Sequence, residues 1–563
     1  MAGSPCSIAI PASSDTRPWT GSDAARSPAL KPIPLAAGVA AVLAALPWIQ
    51  PWTAGPSPQA VPWMVSALCA LALWLLARAA VPPRRLPAWL WSGCVAVLGW
   101  TLLAHGARPE VLMLAGALLL VLLAAGLATE GRLATAVQVG WLAAAALTAL
   151  AGLAQYLGVT SGLEALVRVA SPSTAYGNLG QTNQYATFCW MGAAVVLWAP
   201  LRLPMAARTA LVVLLAFGSA ASASRTGMLE GGLLVVLALL WTGPGRRERL
   251  LLCAAASVAY AAGVALLPAL LEMRTGLEMP RALWNRFGGD GCSSRLVVWS
   301  NVLHLIGQKP LAGWGWGELD YAHYMTLYEG ARFCEILDNA HNLPLHLAVE
   351  LGVPAALLIV GTVLLWGWRQ QPWREEDPQR RLAWAVLGLI LLHSLLEYPL
   401  WYGPFQIAFG VCLGWLVAAP VPGAASASPL PRTAFAALVL GGLGYAAWDY
   451  ARVSQVYRQP EERLAAWSDD TLDHVRRSWL FSGQAGFADL TLATPARDNA
   501  PWMYALAQRT LHYSPEPRVI ERLVESATFL GRTDEAVQHL ARYRAAFPAD
   551  YEAWRRAQRL PPR

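Results

Sequence analysis

Charge is scarce in this chain: 14% of its 563 residues are Asp, Glu, Lys or Arg, against 56% hydrophobic, and the mean hydropathy is +0.39. A soluble domain could not keep its surface solvated with so few charges. None of the 8 cysteines or 9 histidines falls at a spacing that resembles a zinc site, so no metal is expected. No Walker-type or Rossmann glycine loop occurs either, which disfavours ATP-driven chemistry and leaves no cofactor to expect. The N-terminal stretch through Lys31 lacks a signal peptide's charged start followed at once by an apolar core. It reads as a disordered cytoplasmic leader over 1–33, with nothing to cleave.

What the chain has instead is apolar runs. A helix needs about 20 apolar residues to cross the hydrocarbon core. Runs of roughly that length fall at 34–50, 62–78, 87–105, 110–128, 133–157, 184–201, 207–223, 226–243, 250–271, 343–368, 382–400, 402–420 and 433–449. Many of the 27 tryptophans, among them Trp48, Trp63, Trp89, Trp366 and Trp401, sit near run ends, where an amphipathic ring anchors at the membrane interface. The net charge of +7 comes from arginines clustered in alternate loops: Arg78, Arg84 and Arg85, then Arg132, Arg202 and Arg208, Arg246, Arg247 and Arg249, Arg369 to Arg381, and Arg432. Membrane orientation explains that pattern better than nucleic acid does. The fold expected is all-α, a polytopic helical membrane protein of about 13 spans in which 34–449 is the membrane domain. An odd count puts everything after about 450 outside the cytoplasm.

By this topology the outer side receives the loop from about 272 to 342, far longer than an ordinary connection and therefore functional or a small domain. Cys292 and Cys334 share that loop, and an oxidising periplasm would let them bridge. The other cysteines lie in or beside apolar runs or in the leader. The region 450–563 is polar and helical in pattern. Its cadence of helix, turn, helix and Pro548 resembles one tetratricopeptide unit.

Two polar clusters interrupt the apolar pattern. Asp338-Asn339-Ala340-His341-Asn342-Leu343-Pro344-Leu345-His346 precedes one run, and His393-Ser394-Leu395-Leu396-Glu397-Tyr398-Pro399 lies inside another. Ionisable groups at membrane depth are costly and mark functional sites by default. Histidine can take a proton near neutral pH, and the planar charge of Arg225 or Arg295 suits phosphate oxygens. Gln181, Asn183 and Asn342 suit sugar hydroxyls, but each taken alone is more often a helix cap than a ligand.

These residues, together with Gly180-Gln181-Thr182-Asn183-Gln184, Ser224-Arg225-Thr226-Gly227, Ser294-Arg295 and Glu350-Leu351-Gly352, resemble the O-antigen ligase and polymerase superfamily. More narrowly they resemble the PglL-type bacterial protein O-oligosaccharyltransferases that glycosylate pilins. The resemblance implies transfer of a glycan from undecaprenyl diphosphate to Ser or Thr of a periplasmic protein such as pilin, at the bacterial inner membrane and facing the periplasm. It implies no nucleotide and no metal. On it, His341 activates or orients the acceptor hydroxyl, and Arg225 and Arg295 bind the diphosphate. Gln181 and Tyr398 line the site with Asn183 and Asn342, and His393 and Glu397 form a supporting intramembrane pair. The partners implied are the lipid-linked glycan, the acceptor protein and membrane lipids. Ligation onto lipid A-core and O-antigen polymerisation use the same donor and stay open. A secondary transporter and a pilus-assembly scaffold are rivals of other classes.

Overall fold

The apolar runs become helices. The computed structural model describes residues 35–80, 84–127, 131–276, 291–420 and 430–558. The expected leader at 1–33 and loop residues 277–290 lie outside the described residues. The first group of helices is α1 (Leu35–Ile49), α2 (Ala60–Ala80), α3 (Ala88–His105), α4 (Pro109–Ala125) and α5 (Gly131–Tyr156). Then come α6 (Thr182–Trp198), α7 (Met205–Ala221), α8 (Arg225–Leu240) and α9 (Arg246–Thr275). The long loop carries α10 (Arg295–Gln308) and α11 (Leu319–Met325). The apolar pattern resumes with α12 (Leu343–Leu351), α13 (Val353–Gln370), α14 (Pro378–Ser394), α15 (Gly403–Val417) and α16 (Leu430–Val453).

Among the described residues six helices are long and apolar enough to cross a membrane: α2, α3, α5, α9, α13 and α16. Shorter apolar helices include α1, α4, α7 and α15. The chain is a multi-pass membrane protein, mainly helical with almost no strand among the described residues. The strand pairing among the described residues is one antiparallel contact of Arg84–Arg85 with Ala419–Pro420.

One run differs in shape from the sequence reading. The stretch 343–368 is two helices, because Gly352 adopts φ +88° between them and Pro354 follows at the start of α13. A Cβ at Gly352 would lie 2.1 Å from Leu311 O, so only glycine lets the chain turn there. The preceding turn, Gly313-Trp314-Gly315-Trp316-Gly317, braces the end of α12: Trp314 N donates to Val349 O at 2.8 Å and Gly315 N to Glu350 O at 3.0 Å.

α6 is the central helix, with every residue from Gln184 to Trp198 buried. It packs against α5, α7, α8 and α14. Lipid is as apolar as a leucine core, so such contacts rest on close packing and small residues. The α4–α15 contact illustrates it: a Cβ at Gly410 would come 2.4 Å from Val121 O, and one at Gly414 2.2 Å from Ala125 O.

Beyond α16 the chain forms α17 (Thr471–Arg476), α18 (Ser482–Leu492), α19 (Ala500–Leu511), α20 (Pro517–Phe529), α21 (Thr533–Ala546) and α22 (Pro548–Gln558). The expected helix-turn-helix is α20 and α21. Pro548 opens a further helix as well as ending the pattern, a first-turn position that tolerates its missing N–H. Tyr324 of α11 belongs to the core of these helices, with Met503, Val519, Leu523 and Tyr543. The Tyr324 hydroxyl lies 2.9 Å from His539 Nδ1, and Arg542 Nε donates to Met325 O at 3.1 Å. The long loop and the C-terminal helices therefore share one interior.

Candidate active site

The start of α12 positions the first histidine. Asn342 caps that helix by accepting from Leu345 N at 3.1 Å, while its own Nδ2 donates to Leu395 O at 3.1 Å. His341, just before the cap, has φ +49°, a left-handed conformation costly for a residue with a Cβ. Its N–H is held by Asn339 Oδ1 at 2.9 Å. The strained backbone turns the imidazole toward the chain that follows α14.

There Glu397 receives it. His341 Nδ1 lies 2.8 Å from Glu397 Oε2, and the other carboxylate oxygen is ion-paired with the Arg295 guanidinium. The Glu397 side chain is 7% exposed and that of Arg295 32%, so the carboxylate is enclosed while the guanidinium keeps a face to solvent. Arg295 opens α10, capped by Ser294. The Tyr398 ring meets the His341 imidazole edge-on at 5.2 Å and stacks with Tyr402. Trp401 stacks on Trp316 and meets His346 edge-on at 4.8 Å, forming an aromatic wall. Beside it Asp338, in the loop, has its carboxyl held above the usual range by burial, partly offset by the nearby His341 and His346.

A second group forms where α6 and α8 begin. Gln181 caps α6, accepting from Gln184 N at 2.9 Å. Asn183 Oδ1 accepts from Ser224 Oγ at 2.6 Å, and Ser224 in turn caps α8 by accepting from Gly227 N at 3.0 Å. Arg225, exposed, is the first residue of that helix. Gln181 and Asn342 thus serve as caps, the alternative their residue type left open.

The expected side-chain pairing of His393 with Glu397 does not form. α14 ends at Ser394, and although Glu397 N still donates to His393 O at 2.8 Å, the Glu397 side chain turns away from the His393 ring. Glu397 turns to His341 and Arg295, while His393 Nδ1 lies 2.7 Å from Thr187 Oγ1 on α6. That hydroxyl is also 2.6 Å from Glu230 Oε1 on α8 and donates toward Asn183 O at 2.9 Å. Thr187, Glu230 and His393 are all 0% exposed. A threonine has a single proton to donate, so at least one of Glu230 and His393 donates to it. Glu230 and Thr187 were not singled out in the sequence. A lone carboxylate in the apolar run 226–243 was the available signal.

Cys292 and Cys334 are disulfide-bonded, with Cα atoms 5.5 Å apart, and the bridge ties the segment before α10 to the segment leading to His341. Among the described residues no group of three or more His, Cys, Asp or Glu is arranged to hold a metal ion.

Comparison with known proteins finds similarity over regions that include these residues. Residues 210–360, which include Arg225, Arg295 and His341, match the family model described as O-Antigen ligase. Residues 381–560, which include His393, Glu397 and the C-terminal helices, match the model described as virulence factor membrane-bound polymerase, C-terminal. The general O-oligosaccharyltransferase of Acinetobacter baylyi is 26% identical over 288 residues, 50% of this chain and 50% of that protein. The ComP-specific O-oligosaccharyltransferase of the same organism is 29% identical over 124 residues, 22% of each chain. The chain thus matches half the length of the first relative and about a fifth of the second. Over these regions the chain is similar to the O-antigen ligase superfamily that the motifs imply.

Proposed function

We propose, starting from that relationship, that this chain transfers an oligosaccharide from a polyprenyl diphosphate carrier, undecaprenyl diphosphate, to a Ser or Thr hydroxyl of a protein such as pilin. The observation that carries the reading is the Glu397 carboxylate shared between His341 and Arg295. With Nδ1–H donated to Glu397, the imidazole presents Nε2 as an acceptor, the arrangement in which a base is oriented by a third group. The acceptor hydroxyl gives its proton to Nε2 as its oxygen bonds to the anomeric carbon. The bond from that carbon to the phosphate oxygen breaks, and the lipid diphosphate leaves with the electron pair. Arg295, on the other oxygen of the same carboxylate, and Arg225, at the start of α8, stabilise the charge that builds on the leaving phosphate.

The topology proposed with it has about 13 spans, a cytoplasmic N-terminus, and the long loop and C-terminal helices in the periplasm. A C-terminal reporter fusion active only in the cytoplasm would overturn that orientation. For the chemistry, the protein is expressed with a lipid-linked glycan pathway and a candidate pilin, whose intact mass is then measured. A mass increase equal to the glycan is expected, and it should vanish with His341→Ala at equal protein abundance.

The match of 381–560 to a polymerase model supports a second reading, in which the acceptor is another glycan or a lipid A-core sugar. Pilin left unmodified while lipopolysaccharide lengthens would favour it.

A further inference from the structure

Between α5 and α6 the chain runs from Leu157 to Gln181 without a regular helix, yet its backbone is held in place. Gln155, fully buried near the end of α5, donates from Nε2 to Arg168 O and Gly177 O, both at 2.8 Å, and accepts from Gly177 N at 2.7 Å. Asn178 accepts from Arg168 N at 3.0 Å and donates to Leu166 O at 2.8 Å. Two buried amides thus supply the backbone partners that a helix or sheet would otherwise give. The side chains presented by this fixed loop do not suit water. Leu163, Leu166 and Val169, every third residue, are 42%, 67% and 70% exposed. Beside them the Arg168 guanidinium is half-buried: its Nε is enclosed without a hydrogen-bond partner, and among the described residues it forms no ion pair. Gly180 makes room for it, since at φ +80° a Cβ there would lie 2.6 Å from Arg168 Nη1. A cation drawn partly out of water with no anion beside it is costly unless a ligand provides one.

We propose that this loop binds an acidic phospholipid, its phosphodiester on Arg168 and its acyl chains along Leu163, Leu166 and Val169. The proposal rests on the membrane-spanning architecture and not on the transferase reading. Position and charge select the occupant. The exposed aliphatic edge begins shortly after α5, a helix long and apolar enough to cross a membrane, has ended, which is where hydrocarbon gives way to headgroups. Those side chains offer contact that a free phosphate cannot use. The planar guanidinium matches the oxygens of a phosphodiester. With no carboxylate of its own, it favours a lipid of net negative charge over one whose phosphate is already balanced by an ammonium. The bound lipid supplies the counter-ion that Arg168 lacks, and so braces the loop that ends at Gln181, the cap of α6.

For the test, the full-length protein is stripped of lipid in a nonionic detergent and titrated with phosphatidylglycerol. Binding is read by native mass spectrometry and by the rise in melting temperature. Arg168→Gln should weaken binding about ten-fold, the scale of one hydrogen bond to a charged group. The double change Leu166→Ser with Val169→Ser, at two exposed positions, should also weaken it while leaving the lipid-free melting temperature unchanged. Phosphatidylcholine and inorganic phosphate should each bind the wild type about ten-fold more weakly than phosphatidylglycerol or worse. Equal affinity of the wild type and Arg168→Gln, or equal affinity for phosphatidylcholine, overturns the headgroup assignment. Equal binding of inorganic phosphate, or no effect of the double change, reduces the loop to a site for a free anion and overturns the lipid. In a second measurement, phosphatidylglycerol bearing a diazirine in an acyl chain should crosslink within 159–170, and about ten-fold less in Arg168→Gln. Unlabelled phosphatidylglycerol should compete. No crosslink in that segment, or equal competition by undecaprenyl diphosphate, assigns the loop to another occupant and ends the proposal.

Discussion

Glu397 lies 2.8 Å from His341 although 56 residues separate them, and it holds the imidazole at Nδ1. If His341 is the base, His341→Ala should reduce transfer by about 10²- to 10⁴-fold, the usual contribution of a positioned base. Glu397→Gln keeps a hydrogen-bonding group but loses the charge, so kcat should fall with little change in KM for the acceptor. Initial-rate kinetics with pilin or a peptide acceptor measure both, and a near-normal kcat in both variants would remove the pair from the mechanism.

The two arginines are not equivalent in their surroundings. Arg295 is ion-paired with Glu397, so Arg295→Ala also leaves that enclosed carboxylate without its cation. The Arg295→Ala and Glu397→Gln changes should therefore be non-additive by about 0.5–3 kcal/mol in a double-mutant cycle of transfer rates. Arg225→Ala should nearly abolish transfer, and Arg225→Lys should restore only part of it, because lysine keeps the charge without the planar fork. Full activity of both alanine variants would undo the diphosphate assignment.

The Thr187–Glu230–His393 cluster holds α6, α8 and α14 together inside the bundle. Thr187→Val removes the one hydroxyl that serves all three polar neighbours and should destabilise the protein by about 1–3 kcal/mol. Glu230→Gln, which retains both a donor and an acceptor, should cost less. Thermal unfolding in detergent separates the two, and equal melting temperatures for Thr187→Val and the wild type would show that the cluster bears no stability.

His539 makes the contact between the long loop and the C-terminal helices sensitive to acid, and His323, bonded to Tyr328 and to Phe333 O, does the same inside the loop. Burial, reinforced by Arg542, pushes His539 down to about 4, and burial with Arg332 pushes His323 down to about 3. Both are neutral in the fold. Their contribution is present in full above the unfolded value of about 6.5 and is lost as pH falls from there toward the folded values. Hydrogen exchange in 319–325 and 533–546 should be slow at pH 7.5 and accelerate between pH 6 and 4 beyond the intrinsic chemical rate. Protection unchanged across that interval would contradict the linkage.

The helices were legible because membrane insertion writes them as long apolar runs, and each run read from the sequence carries helix. Gly352 escaped that reading. A hydropathy pattern does not register a backbone angle, and apolar residues continue on both sides of the break. The same difference in kind separates the site residues. His341, Glu397 and Arg295 stood out as polar groups near or within apolar sequence, but their pairing depends on where α14 stops. The resemblance implied His393 with Glu397 as a pair, whereas the helix ends between them and their side chains part. Glu230 was visible by the same rule that found His393, and only its partner Thr187, an unremarkable hydroxyl, was hidden.

Tyr324 sits on the loop that carries Arg295 and leads to His341, yet its ring is built into the interior of the C-terminal helices. The boundary near residue 450, where the polar sequence begins, is consequently not a seam along which the molecule can be cut. Removing 450–558 would strip α11 of its supporting wall and loosen the segment between the disulfide and His341. A chimera exchanging C-terminal regions between relatives should transplant 319–325 with them. Donors and recipients mismatched at Tyr324 would otherwise lose the footing of the loop that leads to His341 rather than acquire a new acceptor preference.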